Sequence, residues 1–127
     1  MGEPGMTQIL IVDDNSEIRG IVREFVQLMG FGATVAASGR EALNRLAHGS
    51  FDLVITDLAI PDLDGWTLLE RVHGEQPDLP VVLMSGWGCN SELALARGAA
   101  GWISKPFGFR AVEEAIRPWI AQTENRA

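Results

Sequence analysis

Short apolar runs alternate with longer stretches of helical spacing five times along this chain, and that alternation leaves few folds open. Residues 8–12 and 53–56 are apolar almost throughout, and so are residues 81–84. That is the pattern of parallel strands buried on both faces. Residues 33–36 and 101–104 read as two further, shorter strands. Between them the apolar residues fall at helical spacing. Ile18, Ile21, Val22, Phe25, Val26 and Met29 mark a helix over 16–29. A Ser-x-x-Glu capping box at Ser38–Glu41 opens a second helix, running to about Ala47. Trp66, Leu69 and Val72 share one face of a third helix over 65–73. Helices over 91–97 and 108–117 complete the set. Strands and helices that alternate through short loops build an α/β domain, a parallel sheet with helices on both faces.

Helix ends carry their own signals. Asp14 is placed to cap the first helix, with Glu17 three residues on. Gly30 and Gly32 close it. His48 and His73 each fall near a helix C-terminus, where a cation favours the dipole. Pro118 lacks an N–H and crowds the preceding turn, so the last helix is expected to end or kink there, with Trp119 and Ile120 packing back. Residues 1–7 contain no apolar segment of signal-peptide type and read as a disordered leader or an expression remnant; 121–127 read as a frayed end. The domain is expected over 8–120.

The chemistry lies at the strand ends. The third strand stops at Asp57, a carboxylate at the carboxyl edge of a central strand, where open α/β sheets bind ligands. Asp13 and Asp14 end the first strand, Ser85 the fourth and Lys105 the fifth. In a parallel sheet these five residues converge on one edge. Three carboxylates together repel one another unless a cation is present. Their hard oxygens suit Mg²⁺. Lys105 is a point charge for a phosphate oxygen and Ser85 a hydrogen-bond donor to another. A carboxylate beside Mg²⁺ and a lysine can form an aspartyl phosphate. Taken singly, Asp14 could be only a helix cap and Lys105-Pro106 only a turn. The weight lies in their joint occurrence at four strand ends.

Composition narrows the partners. Ten basic against seventeen acidic residues give a formal charge of −7, which disfavours nucleic-acid binding by this domain. One cysteine, Cys89, rules out an internal disulfide framework and fits a reducing, cytoplasmic setting. No apolar run approaches the ~20 residues a membrane-spanning helix needs.

From Gln8 to about Ile120 the sequence resembles the receiver domain of two-component response regulators. The motifs that carry the likeness are residues 9–15 (ILIVDDN), 53–57 (LVITD) with 61–66 (PDLDGW), 82–86 (VLMSG) and 98–107 (GAAGWISKPF). The resemblance implies a flavodoxin-like (βα)5 domain with a five-stranded sheet. It implies that Asp57 accepts a phosphoryl group from a phosphohistidine on a histidine kinase or histidine phosphotransfer protein. Asp13, Asp14, Asp57 and the Ala59 backbone carbonyl would hold Mg²⁺, and Ser85 and Lys105 would bind phosphoryl oxygens. The Lys105-Pro106 peptide is expected to be cis. Ser85 would couple to an aromatic on the fifth strand, here Trp102, where Tyr or Phe is usual; a static packing role for Trp102 stays open.

Three functions follow from different classes. The first is a phosphorylation switch that changes its surface for a downstream protein partner and catalyses only its own modification. The second is a receiver-like binding module working without phosphorylation. The third is a Mg²⁺-dependent phosphatase of haloacid-dehalogenase type, which would want a second Asp two residues after Asp57; Ala59 stands there. The sequence leaves no length for an output domain after residue 120, so the expectation is a stand-alone receiver or one excised from a larger protein such as a hybrid kinase.

Overall fold

The computed structural model describes residues 6–86 and 91–124. The elements run β1 (Gln8–Val12), α1 (Ser16–Leu28), β2 (Gly32–Ala36), α2 (Gly39–His48) and β3 (Leu53–Asp57). They continue with α3 (Gly65–Glu75), β4 (Val81–Ser85), α4 (Ser91–Ala96), β5 (Gly101–Ser104) and α5 (Phe109–Glu124). All strand pairs are parallel and the order is β2-β1-β3-β4-β5. The chain therefore winds outward from β1 in both directions. The crevice between β1 and β3 is the switch point where such sheets present ligands.

Strand composition explains the layers. Every residue of β3 and β4 is buried, as are Ile9 to Val12 of β1. Side chains alternate across the sheet, so Leu10, Val12, Val54 and Leu83 face one way and Ile9, Ile11, Ile55, Val82 and Met84 the other. The first set packs on Ala42 of α2, Leu68, Leu69 and Val72 of α3 and Ala94 of α4. The second packs on Val22 and Val26 of α1 and Val112, Ile116 and Ile120 of α5. Phe25 and Phe109 meet edge to face, 5.5 Å between centroids, joining α1 to the start of α5.

Several local expectations are corrected. Asn15, not Asp14, caps α1: its Oδ1 accepts from the N–H groups of Glu17 at 2.9 Å and Ile18 at 3.1 Å. The helix starts one residue later than that assignment required, which releases Asp14 to the sheet edge. In α2 the Ser38 hydroxyl accepts from Glu41 N–H as a capping box should, but the Glu41 carboxylate reaches past Ser38 to the N–H of Ala37 at 2.8 Å.

The larger correction is α5, which continues through Pro118 to Glu124. Pro118 and Glu114, whose carbonyl loses its partner, both lie on the exposed side of the helix, where water can take the acceptor. Continuation also buries Ile120, 2% exposed, one turn beyond Ile116. Residues 1–5 and 125–127 lie outside the described residues, and so do Trp87 and Cys89. Among the described residues no helix is long and apolar enough to cross a membrane.

Candidate functional site

β3 carries Asp57 to the carboxyl edge in the middle of the sheet, where it is 6% exposed. Just past the neighbouring end of β1, Asp13 is 1% exposed and Asp14 is exposed. One carboxylate oxygen from each of Asp13, Asp14 and Asp57 can be chosen so that all lie within 4.8 Å of one another. Such a set of hard oxygen donors, open to solvent at Asp14, fits a Mg²⁺ ion that keeps several waters.

Asp13 is fixed on several sides. Its N–H donates to the Ala36 carbonyl at 3.1 Å. Its Oδ1 accepts from Asn15 N–H at 2.9 Å, and its carbonyl accepts from Arg19 on α1 at 2.9 Å. Its remaining oxygen, Oδ2, accepts from Lys105 Nζ at 3.0 Å.

Lys105 follows β5 and reaches back across the edge. Its ammonium lies 3.0 Å from Asp13 Oδ2 and 3.0 Å from Asp57 Oδ1. Its backbone N–H donates to the Ser85 carbonyl at 2.9 Å, holding the β4 and β5 ends in register. The Lys105-Pro106 peptide is cis, as expected.

Burial pushes the Asp57 carboxyl above its ordinary value, helped by the Asp13 charge. The hydrogen bond and charge of Lys105, and the Ala59 N–H, pull the other way without cancelling it. Burial pulls Lys105 down, but the hydrogen bonds and charges of Asp57 and Asp13 outweigh it and hold the ammonium above its ordinary value. The cation therefore stays charged between two buried anions.

Asp57, Leu58, Ala59, Trp66, Ser85, Gly86 and Lys105 line an open cleft of about 340 Å³. Two backbone bonds shape its floor: Leu58 N–H to the Met84 carbonyl at 2.9 Å, and Gly65 N–H to the Leu58 carbonyl at 2.8 Å. A Cβ on Gly65 would fall 2.7 Å from the Asp57 carbonyl oxygen and 2.8 Å from Leu58 Cα. Only glycine lets α3 start this close to the strand end. Asp64 caps that helix through Thr67 N–H at 2.8 Å.

The structure thus brings Asp13, Asp14, Asp57 and Lys105 into one cluster and puts Ser85 and Ala59 on the adjoining cleft. Trp102 stands apart from the cleft lining. It is half-buried against the core on the α2, α3 and α4 side, opposite Leu83 in the sheet register. The roles of two residues were not read from the sequence. Trp66, placed there on one face of α3 with Leu69 and Val72, packs against the core and also forms a wall of the cleft. Asp62 accepts from the N–H groups of Gly39 and Arg40, both at 2.9 Å, pinning the loop after β3 to the start of α2. The position of Trp66 directly after Gly65 was the available signal. For Asp62 there was none, because its partners are 22 and 23 residues away.

Comparison with known proteins gives a consistent result. Residues 9–117 match the family model described as the response regulator receiver domain. A probable transcriptional regulator, ycf27, of Cyanidium caldarium is 31% identical over 120 residues, which is 93% of this chain and 48% of that protein. The chain thus spans about half the length of that relative. A response regulator receiver domain protein from Clostridium thermocellum superposes with a TM-score of 0.86 at 28% identity, covering 96% of this chain and all of that one. The response regulator TrrA from Thermotoga maritima, solved in complex with Mg²⁺ and BeF, superposes with a TM-score of 0.82 at 29% identity over 90% of this chain and 99% of that one.

Proposed function

This chain belongs to the response regulator receiver domain family, and from that premise we propose that it is a phosphorylation switch whose acceptor is Asp57. Receiver domains are signalling domains of two-component systems rather than turnover enzymes, and they work between histidine kinases and downstream effectors. The observation that carries the reading for this chain is the strand-edge cluster itself. A buried carboxylate at the end of β3 shares one lysine with Asp13 and lies beside the exposed Asp14. A purely structural role for three clustered acids gains nothing from this arrangement, since burial and mutual repulsion both penalise it.

In the proposed reaction a phosphohistidine of a kinase or phosphotransfer protein enters the cleft. The phosphorus–nitrogen bond breaks, a bond forms from phosphorus to an Asp57 carboxylate oxygen, and the imidazole leaves. Asp13, Asp14, Asp57 and the Ala59 carbonyl would hold Mg²⁺. When bound, the ion supplies positive charge against the incoming phosphoryl oxygens. Two of the three Lys105 N–H donors face Asp13 and Asp57, so the ammonium is already within reach of a group built on Asp57. The Ser85 hydroxyl would donate to another phosphoryl oxygen. The added charge then rearranges these contacts and biases the surface presented to a downstream partner. We take residues 8–120 as the receiver unit, working in the cytoplasm on protein partners.

The test is intact-protein mass after acetyl phosphate treatment, with and without Mg²⁺, on wild type and Asp57→Asn. A Mg²⁺-dependent phosphoryl adduct, lost in the variant, is the expected result. A wild type unchanged by acetyl phosphate, and indifferent to beryllium fluoride with Mg²⁺, would leave a binding module that works without phosphorylation.

A further inference from the structure

The wall of the cleft is tied to α4 by a contact that the switch chemistry does not use. Arg97, the residue following α4, places its guanidinium 4.1 Å from the centroid of the Trp66 ring. Its Nη2 also lies 3.6 Å from Glu70 Oε2, one turn below Trp66 on α3. A cation over an indole face, steered by a carboxylate, is a directional contact rather than incidental packing. Trp66 lines the same cleft as Asp57, Ser85 and Lys105. Arg97 therefore connects the far end of α4 to a side chain at the reaction site.

α4 is the element such a contact can control. Among the described residues it is the shortest helix, Ser91–Ala96, and of these six only Ala94 is buried. Leu93 and Leu95 are 43% and 54% exposed. A helix with one small buried side chain among its described residues draws little apolar burial, the mark of an element that opens more readily than the sheet. α3, by contrast, is fixed by Leu68, Leu69 and Val72 and by the close approach of Gly65 to β3. The Arg97–Trp66–Glu70 contact fastens the loosely held helix to the firmly held one.

We propose that Arg97 is a positioning residue that latches α4 to Trp66 in the unphosphorylated domain, so that filling the cleft must work against this latch before α4 can move. The inference rests on the phosphoacceptor reading of the cleft. If only the unphosphorylated arrangement contains the contact, removing it lowers the cost of the shift and tightens binding of any phosphoryl mimic. A solvent-accessible cation–π contact is worth about a two- to fivefold change in such an equilibrium.

The experiment measures affinity for beryllium fluoride in the presence of Mg²⁺, alongside Tm. The proteins are wild type, Arg97→Ala, Trp66→Leu, the double variant, Trp66→Phe and Glu70→Gln. Arg97→Ala is expected to bind about two- to fivefold more tightly than wild type. The gain should disappear when Arg97→Ala is made in the Trp66→Leu background, because the partner ring is already gone. Trp66→Phe, with a weaker ring face, and Glu70→Gln, which loosens the steering, should fall between. A merely structural contact would lower Tm in Arg97→Ala and leave affinity unchanged, and that outcome overturns the latch. So does a gain that persists unaltered without Trp66. If Arg97→Ala folds poorly, Trp66→Phe and Glu70→Gln carry the same comparison. A wild type that binds no beryllium fluoride overturns the phosphoacceptor reading and the latch with it, and is told apart by the wild-type measurement alone.

Discussion

Asp57 and Asp62 sit in the same β3–α3 segment, yet the fold treats their carboxylates in opposite ways. Asp57 is enclosed at the strand edge beside another acid, and burial raises its pKa above the ordinary 3.8. Asp62 is exposed and accepts two N–H groups at the start of α2; those bonds, Arg40 first and Gly39 second, hold its carboxyl below the ordinary value. One charge is a strain on the folded state and the other a fastening. The difference teaches that proximity in sequence says little about a carboxylate's role. What decides is whether donors or low dielectric surround it. The proposed acceptor is thus the carboxylate whose charge the fold disfavours, and the neighbouring loop is kept in place by a group that prefers its charge.

The comparison breaks most completely at the proposed acceptor. Asp57→Asn is expected to abolish the phosphoryl adduct altogether, whereas Asp62→Asn should leave adduct formation measurable by the same mass experiment. Next in size is Lys105→Met, which strips two buried anions of their shared donor. A stability loss of about 1.5–3 kcal/mol is expected, the range for a hydrogen bond to a charged group, read by urea denaturation. Gly65→Ala tests how closely α3 must approach Asp57. Its Cβ meets backbone that cannot turn aside, so a loss of about 1–3 kcal/mol is expected, together with slower phosphorylation.

The smallest effects are the most discriminating, because they differ in sign. The folded pKa of Asp57 is raised, so its contribution is fully present below the unfolded value near 3.8 and is lost as pH rises through the folded value. Asp57→Asn should therefore raise Tm at neutral pH, and the gain should vanish on acidification below that window. The folded pKa of Asp62 is lowered, so its contribution is present above the unfolded value near 3.8 and is lost as pH falls through the folded value. Asp62→Asn should lower Tm at neutral pH, with the difference closing in acid. Thermal melts of the two variants across that range would show the same sign of shift if the contrast is wrong.

Much of this was legible in the chain. The apolar runs at 8–12, 53–56 and 81–84, short and rich in branched aliphatics, read as doubly buried strands, and helical spacing between them pointed to a parallel sheet. A parallel sheet then brings Asp13, Asp57, Ser85 and Lys105 to one edge whatever their sequence separation, because every strand ends on the same side. Hydrophobic period is a local property, and so is a strand's last residue. The cap was local too: Asn15 took it because it directly precedes Ser16, and Asp14 stands one residue too early. Other features were not local. α5 ran through Pro118 because solvent could serve the orphaned carbonyl while Ile120 found the core. Asp62 reached α2, Gly65 came within contact of β3, and Arg97 settled on Trp66 only once the layers were packed. The sequence by itself determined the sheet, its edge and the residues gathered there, since periodicity and strand direction are written residue by residue. The tertiary structure alone decided which carboxylate is strained, which is stapled and which helix is latched, since those depend on donors, burial and approach distances that chains acquire only on folding.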